Sequence, residues 1–293
     1  MKFGERVARI PLSLHQNCPN RLNGKTGCTF CLPEAYEPPS LLSSGSVVEQ
    51  INKFKNLRGK FYKAKKYIAY LQSGSNTAGD PLLLEKAYSD ALAQEDIVAL
   101  SISTRPDCLK DDILKIISNL AKNNEIWVEL GVQSAHNKTL KIVNRGHDNA
   151  ASLSAIKKLK NAGVKHIIAH IIFGLPGETE NEMLETVDIF SDTYVNGFKF
   201  HHLQINKNTP LEKSWRENSI RLFSLDEYID LIVRVVERIP QNIVLHRLIG
   251  SSNEDFFLAP KWNLSKAEIL YKLLNEFKNK NTFQGKLLNQ KNS

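Results

Sequence analysis

Three thiols stand close together near the start of the chain. Cys18, Cys28 and Cys31 fall within fourteen positions, as C-x9-C-x2-C. Thiolate sulfur is a soft donor that selects zinc or iron–sulfur clusters. A cubane [4Fe-4S] cluster is closed by four protein ligands, so three cysteines leave one iron open to a small molecule. The same sulfurs also read as structural zinc, with His15 or a distant histidine as the remaining ligand. Such sites more often repeat the short C-x2-C pair, which occurs once here. Unliganded thiols are the third alternative. Phe30, just before the last cysteine, is placed to shield a bound group.

Other residues carry chemistry less specifically. Cys108 follows Arg105-Pro106-Asp107; it could exchange a hydrogen atom with a substrate, though a lone cysteine is more often a small core residue. Lys53, Lys55, Arg58, Lys60, Lys63, Lys65 and Lys66 interleave with Phe54, Phe61, Tyr62 and Tyr67. Cations that hold phosphates beside rings that stack bases are what an RNA-binding surface needs. A solvated helix face with its rings packed inward is the plainer alternative. His170, His201 and His202 lie in apolar runs, where alternation sends His201 and His202 to opposite faces.

A scaffold must position these groups. The 293 residues, 42% hydrophobic and 24% charged, suit one large domain or one with a small extension. Short apolar runs (Tyr67–Gln72, Ile97–Ser103, Ile126–Val132, His166–Phe173, Phe198–Ile205) alternate with amphipathic stretches (Leu82–Gln94, Leu109–Lys122, Ala150–Ala162, Asn181–Val195). An early strand at Val7–Leu14 and a helix near Val47–Leu57 bring this to about six strand–helix units, which implies a parallel sheet. Periodicity leaves a partial barrel and a doubly wound sheet both open. In a parallel barrel the cysteine loop, directly after the first strand, opens on the face where active sites form. A helix at Leu225–Arg238, a strand at Ile243–Leu248 and a helix at Lys266–Lys278 follow, and residues 279–293 are expected to fray.

The formal charge of +8 favours an anionic partner, with nucleic acid the sharper reading. The N-terminus lacks the apolar core of a secretory signal, and no apolar run approaches the ~18 residues a membrane span needs. These features predict a cytoplasmic protein without membrane association, whose thiols are reduced rather than paired.

Taken in order, Cys18-Pro19-Asn20-Arg21, Gly27-Cys28-Thr29-Phe30-Cys31, Ser103-Thr104-Arg105-Pro106-Asp107-Cys108, Glu129-Leu130-Gly131-Val132-Gln133-Ser134, Asn144-Arg145-Gly146-His147, Gly174-Leu175-Pro176-Gly177-Glu178-Thr179 and His246-Arg247-Leu248 resemble the YhcC/YtqA-type radical SAM family. That core is similar to the radical SAM domain of the elongator catalytic subunit. The resemblance covers residues from about 3 to about 278. It implies a partial (β/α)6 TIM-like barrel over 1–240, with 241–293 as a strand–helix extension and basic tail. It also implies a [4Fe-4S] cluster on Cys18, Cys28 and Cys31, with S-adenosyl-L-methionine cleaved to a 5′-deoxyadenosyl radical. The cofactor supplies the difficult chemistry and the protein positions it.

On that resemblance, Gln72, Ser73 and Asn76 meet the methionine amino group. Glu129, Gln133 or both lie near ribose and methionine; the Glu129 carboxylate could accept from ribose hydroxyls or pair with Arg145, and a barrel-interior salt bridge is the plainer alternative. Gly174 and Leu175 approach the adenine, and Cys108 is the candidate catalytic residue. The family further implies a tRNA partner, an electron donor such as flavodoxin or ferredoxin, and a reaction that converts a carboxymethylaminomethyl group at wobble-uridine C5 to aminomethyl. Rival readings are radical chemistry on a small metabolite and a non-catalytic, zinc-stabilised RNA-binding protein. Ala78-Gly79-Asp80, Gly250-Ser251 and Leu32-Pro33-Glu34 depart from the family pattern, which bears on substrate more than on cofactor. Oligomeric state is not legible.

Overall fold

The computed structural model describes residues 3–37 and 44–289. Its main sheet has seven strands: β1 (Val7–Leu12), β2 (Lys66–Leu71), β3 (Ile97–Thr104), β4 (Ile126–Gln133), β5 (His166–Phe173), β6 (Gly197–His202) and β8 (Val244–Arg247). They stand side by side in chain order, without the reversal that defines a doubly wound sheet. The pairings of β1 with β2, β2 with β3, β3 with β4 and β6 with β8 are parallel. Sequential parallel winding is that of (β/α) barrels, which decides between the two architectures left open by periodicity.

The chain forms two compact units. Residues 1–26, 36–131 and 151–168 make the first, with β1 to β3 and the first parts of β4 and β5. Its helices are α1 (Val47–Phe54), α2 (Pro81–Leu92), α3 (Asp111–Ala121) and most of α5 (Asn149–Asn161). β1 buries Ala8, Ile10 and Leu12 in strict alternation, whereas β2 and β3 are buried almost throughout, as strands covered on both faces must be. A capping box between Ser46 and Glu49 starts α1, and Asp80 ahead of Pro81 starts α2.

Residues 27–35, 132–150 and 169–293 make the second unit. It holds the ends of β4 and β5, then α4 (Asn137–Ile142), α6 (Glu180–Ser191), β6, β7 (Ile205–Asn206), α7 (Pro210–Arg216), α8 (Leu225–Arg238), β8, β9 (Phe257–Ala259), α9 (Lys266–Asn279) and α10 (Lys286–Asn289). β7 and β9 form a separate antiparallel pair. The sequence merges β7 into the run ending at Ile205, because no local signal announces a partner some fifty residues on.

The expected fraying after residue 279 does not occur through residue 289. Gln284 Nε2 donates to the carbonyls of Pro240 and Ile243, both at 2.8 Å, and the Gly285 amide donates to Val236 O at 3.1 Å. These contacts tie the segment after α9 to the end of α8 and to the turn that follows it. Residues 290–293 of the expected basic tail lie outside the described residues. Among the described residues no helix is long and apolar enough to cross a membrane.

Candidate active site

In the first unit, the turn after β2 is built from small polar groups. The Gln72 amide donates to Leu12 O at 3.2 Å and its Nε2 to Tyr36 O at 2.9 Å. Gly74 takes φ +76°, and a Cβ there would stand 2.9 Å from Gln16 O, so only glycine lets this turn press against the cysteine loop. Asn76 is fully buried, donating from Nδ2 to Leu71 O and Ser103 O at 3.0 and 2.9 Å. Ser73 Oγ and Asn76 Oδ1 are buried with no hydrogen-bond partner among the described residues. Buried polar atoms are nearly always satisfied, so two such atoms in one turn mark a place where a ligand belongs.

Cys108 is buried in a single 3-10 turn, Pro106–Cys108. Burial pushes its thiol up, against a hydrogen bond with Ser75, and the charge of Cys18 acts in the same direction as burial. The residue is therefore held as a thiol.

Glu129 lies in an ion pair. Its carboxylate, wholly buried, meets Arg9 Nη1 at 2.8 Å and accepts from Tyr70 OH at 2.9 Å and Ser101 Oγ at 2.8 Å. Arg9, the single charge in an apolar strand, is thus explained; the salt bridge left open for Glu129 is present, with Arg9, which the sequence reading overlooked, as its partner.

In the second unit, Asn144 and Arg145 clamp the end of the cysteine loop. Asn144 Nδ2 donates to Gly27 O at 2.6 Å, the Thr29 amide donates to Val143 O at 3.0 Å, and Arg145 Nη1 lies 3.5 Å from Cys28 Sγ. Arg145 is 6% exposed, so its charge-assisted bond to the sulfur is made in a dry setting. Phe30 packs on an apolar cluster containing Val143, Leu175, Leu203 and Leu211. Gln133 ends β4 at φ +70°. Leu175 is a buried core residue, and Gly174 (φ +86°) brings the backbone so near Phe223 that a Cβ would stand 3.0 Å from its ring.

The Gly174–Thr179 loop walls a cavity of about 360 Å³, closed by Met183, Ile220 and Phe223. Glu178 lines it and is hydrogen-bonded by Ser134 Oγ. Burial pushes the Glu178 carboxyl up to about 7, with the Ser134 bond working against it. Neighbouring Glu182 is held at about 2 by Lys138 and the Thr179 cap, so the two titrate in separate ranges. A raised carboxyl pKa means the native state holds its proton longer than the unfolded chain. Stability is then full below pH 4.5 and is lost as pH climbs to about 7, by up to about 3 kcal/mol. Glu178→Gln should flatten the fall in melting temperature between about pH 5 and pH 7.5; an unchanged slope would refute this assignment. Ser134 and Glu178 were not among the residues marked out in the sequence, although both stand inside quoted motifs.

The chain matches the Radical SAM superfamily over residues 12–190 and the Radical_SAM C-terminal domain over residues 195–279. It is 34% identical to YtqA of Bacillus subtilis over 287 residues, 97% of this chain and 88% of that protein. The chain belongs to the radical SAM superfamily. Its members are enzymes that use a [4Fe-4S] cluster and S-adenosylmethionine. A tRNA uridine(34) acetyltransferase of Methanocaldococcus infernus is 31% identical over 143 residues, 48% of this chain and 26% of that one. Among solved structures, the archaeal Methanocaldococcus infernus Elp3 with an N-terminal deletion superposes with a TM-score of 0.73 at 19% identity. It covers 95% of this chain and 64% of that one, and establishes a shared fold.

The donor set fits the superfamily's cluster. Cys18, Cys28 and Cys31 are all free of disulfides, and a guanidinium faces Cys28.

The basic segment divides. Phe54 is buried, stacked on Tyr62 at 5.6 Å and edge-on to Tyr67 at 6.5 Å, so these rings pack on one another. Lys55 pairs with Asp96, and Lys53 Nζ bonds Ser44 Oγ at 2.7 Å. Lys66 opens β2 half-buried. Arg58, Lys63 and Lys65 are exposed beside Phe61, itself 79% exposed. The side chain of Lys60 lies outside the described residues.

Proposed function

We propose that this radical SAM enzyme acts on tRNA, converting a carboxymethylaminomethyl group at C5 of the wobble uridine to aminomethyl. The observation that carries the RNA substrate is the similarity to a tRNA uridine(34) acetyltransferase over 48% of this chain. The exposed Arg58, Lys63 and Lys65 with the Phe61 ring, on a chain of formal charge +8, support it physically.

Cys18, Cys28 and Cys31 hold the cluster, which with S-adenosylmethionine supplies one-electron hydrogen-abstraction chemistry. Arg145 sets a positive charge against Cys28. Ser73 and Asn76 offer the cofactor's methionine end the polar atoms that the fold leaves unsatisfied, with Gln72 in the same turn. The Gly174–Glu178 loop walls the adenosine end. Glu129 acts through Arg9 as a positioning residue, and Cys108 holds a hydrogen atom at sulfur near the cysteine loop. A flavodoxin or ferredoxin delivers the electron.

A deletion strain should accumulate the carboxymethylaminomethyl nucleoside and lack the aminomethyl form in digested tRNA. An unchanged wobble-nucleoside profile would sink the tRNA reading while leaving the superfamily intact. In binding assays, Arg58→Glu, Lys63→Glu and Lys65→Glu together should weaken tRNA affinity and lower the slope of log affinity against log salt by about one to three. A slope equal to wild type would remove this surface from the interface.

A further inference from the structure

Neighbouring positions on β5, β6 and β8 carry a group of basic side chains outside the cofactor roles assigned above. On β6, Phe198 and Phe200 stack on one face at 5.3 Å, and His202 on that face meets Tyr228 and Trp262. Alternation puts Lys199 and His201 on the other face. Lys199 is 3% exposed and stands in register with Arg247 of β8. The His201 ring lies 5.7 Å from that of His170 on β5. Near this edge, the Lys266 amine is lowered by burial and by Arg247.

Lys199 and Arg247 set two cationic side chains at paired positions of adjacent strands, which is costly unless an opposing charge is near. Burial, then His170, Arg247 and Lys199, hold the His201 ring well below its ordinary value, so it is neutral. A Cβ at position 250 would stand 3.2 Å from its Nδ1, so glycine keeps that edge of the ring clear. At the opposite edge, His201 Nε2 is buried with no hydrogen-bond partner among the described residues. No carboxylate pairs with Arg247 among the described residues. A buried imidazole nitrogen left open, beside a guanidinium with no acid of its own, has the chemistry of an unfilled anion site.

We propose that His170, Lys199, His201 and Arg247 form a carboxylate-binding site for the substrate. Arg247 presents a planar fork that matches the two oxygens of a carboxylate, His201 Nε2 adds a single neutral donor, and Lys199 adds a compact charge. The choice of carboxylate over phosphate rests on the wobble side-chain reading above, because carboxymethylaminomethyl ends in a carboxylate and its aminomethyl product does not. The site would then grip the part of the side chain that the reaction removes.

The test is binding, not turnover. The full chain, reconstituted without oxygen and with ring-labelled histidine, is titrated with acetate, with N-methylglycine (the free counterpart of the carboxymethylamino end) and with inorganic phosphate, at constant ionic strength. Resonances are assigned from His170→Gln and His201→Gln. Acetate and N-methylglycine should shift the His201 signal saturably. Arg247→Gln should weaken that binding on the order of 30-fold, with an unchanged circular dichroism melt showing that the variant is folded. Arg247→Lys, which keeps charge and loses the fork, should fall between the two. Absence of a saturable shift in folded protein overturns the site, and phosphate binding more tightly than either carboxylate overturns the assignment to a carboxylate. Saturable carboxylate binding together with an unchanged wobble profile in the deletion strain would keep this site and discard the tRNA substrate.

Discussion

Cys28→Ala, purified and reconstituted without oxygen, is expected to be colourless and to release no 5′-deoxyadenosine above the protein-free background when given dithionite and S-adenosylmethionine. Wild type should be brown and should release it. With each proposed cysteine ligand on a separate iron, losing one sulfur would remove a corner of the cubane rather than weaken it in proportion. Cys18→Ala and Cys31→Ala should behave alike. The effect at Cys28 is compounded because Arg145 stays buried at 6% exposure with its sulfur partner gone. Cys108→Ala separates the roles of the four thiols: it should keep the colour and the 5′-deoxyadenosine but lose the modified nucleoside. A colourless wild-type protein with stoichiometric zinc would overturn the cluster assignment.

Glu129→Ala is expected to cost about 3 kcal/mol of stability, the lower end for breaking a buried pair, since Arg9 keeps 29% side-chain exposure and can find water. For a chain of this size that is a fall in melting temperature of roughly 6–12 °C. The Tyr70 and Ser101 hydroxyls lose their acceptor in the same step. Arg9→Met with Glu129→Leu should recover most of the loss, because apolar replacement of a whole buried pair is often neutral. Calorimetry on the apoprotein isolates this from cofactor binding. An alanine variant that melts like wild type but loses affinity for S-adenosylmethionine would return Glu129 to direct contact with the cofactor.

Much of this was legible in the chain alone. Three soft donors at C-x9-C-x2-C soon after a strand mark a metal or cluster loop, because ligand type and spacing are covalent facts, but spacing alone left zinc open and only the family motifs pointed to a cluster. Strand–helix alternation specifies parallel strands, because antiparallel neighbours do not need crossover helices. The Asn144-Arg145 motif could be recognised but not interpreted: that Asn144 holds Gly27 and Arg145 holds Cys28 depends on a contact across 117 positions.

Tertiary structure decided the rest. Arg9 and Glu129 are 120 positions apart and looked like unrelated charges until β1 to β4 set them on one sheet. The Lys53–Lys66 segment reads as uniformly basic and aromatic, yet packing on Tyr62 and Tyr67 buries Phe54 while Phe61 stays exposed. Alternation alone placed His201 and Lys199 on one face, but only strand order brought His170 and Arg247 beside them. Sequence fixes which groups exist and which way each points along its own strand, since those follow from local covalent geometry. Which charges share a buried face follows from pairings between distant segments, and no local propensity encodes those.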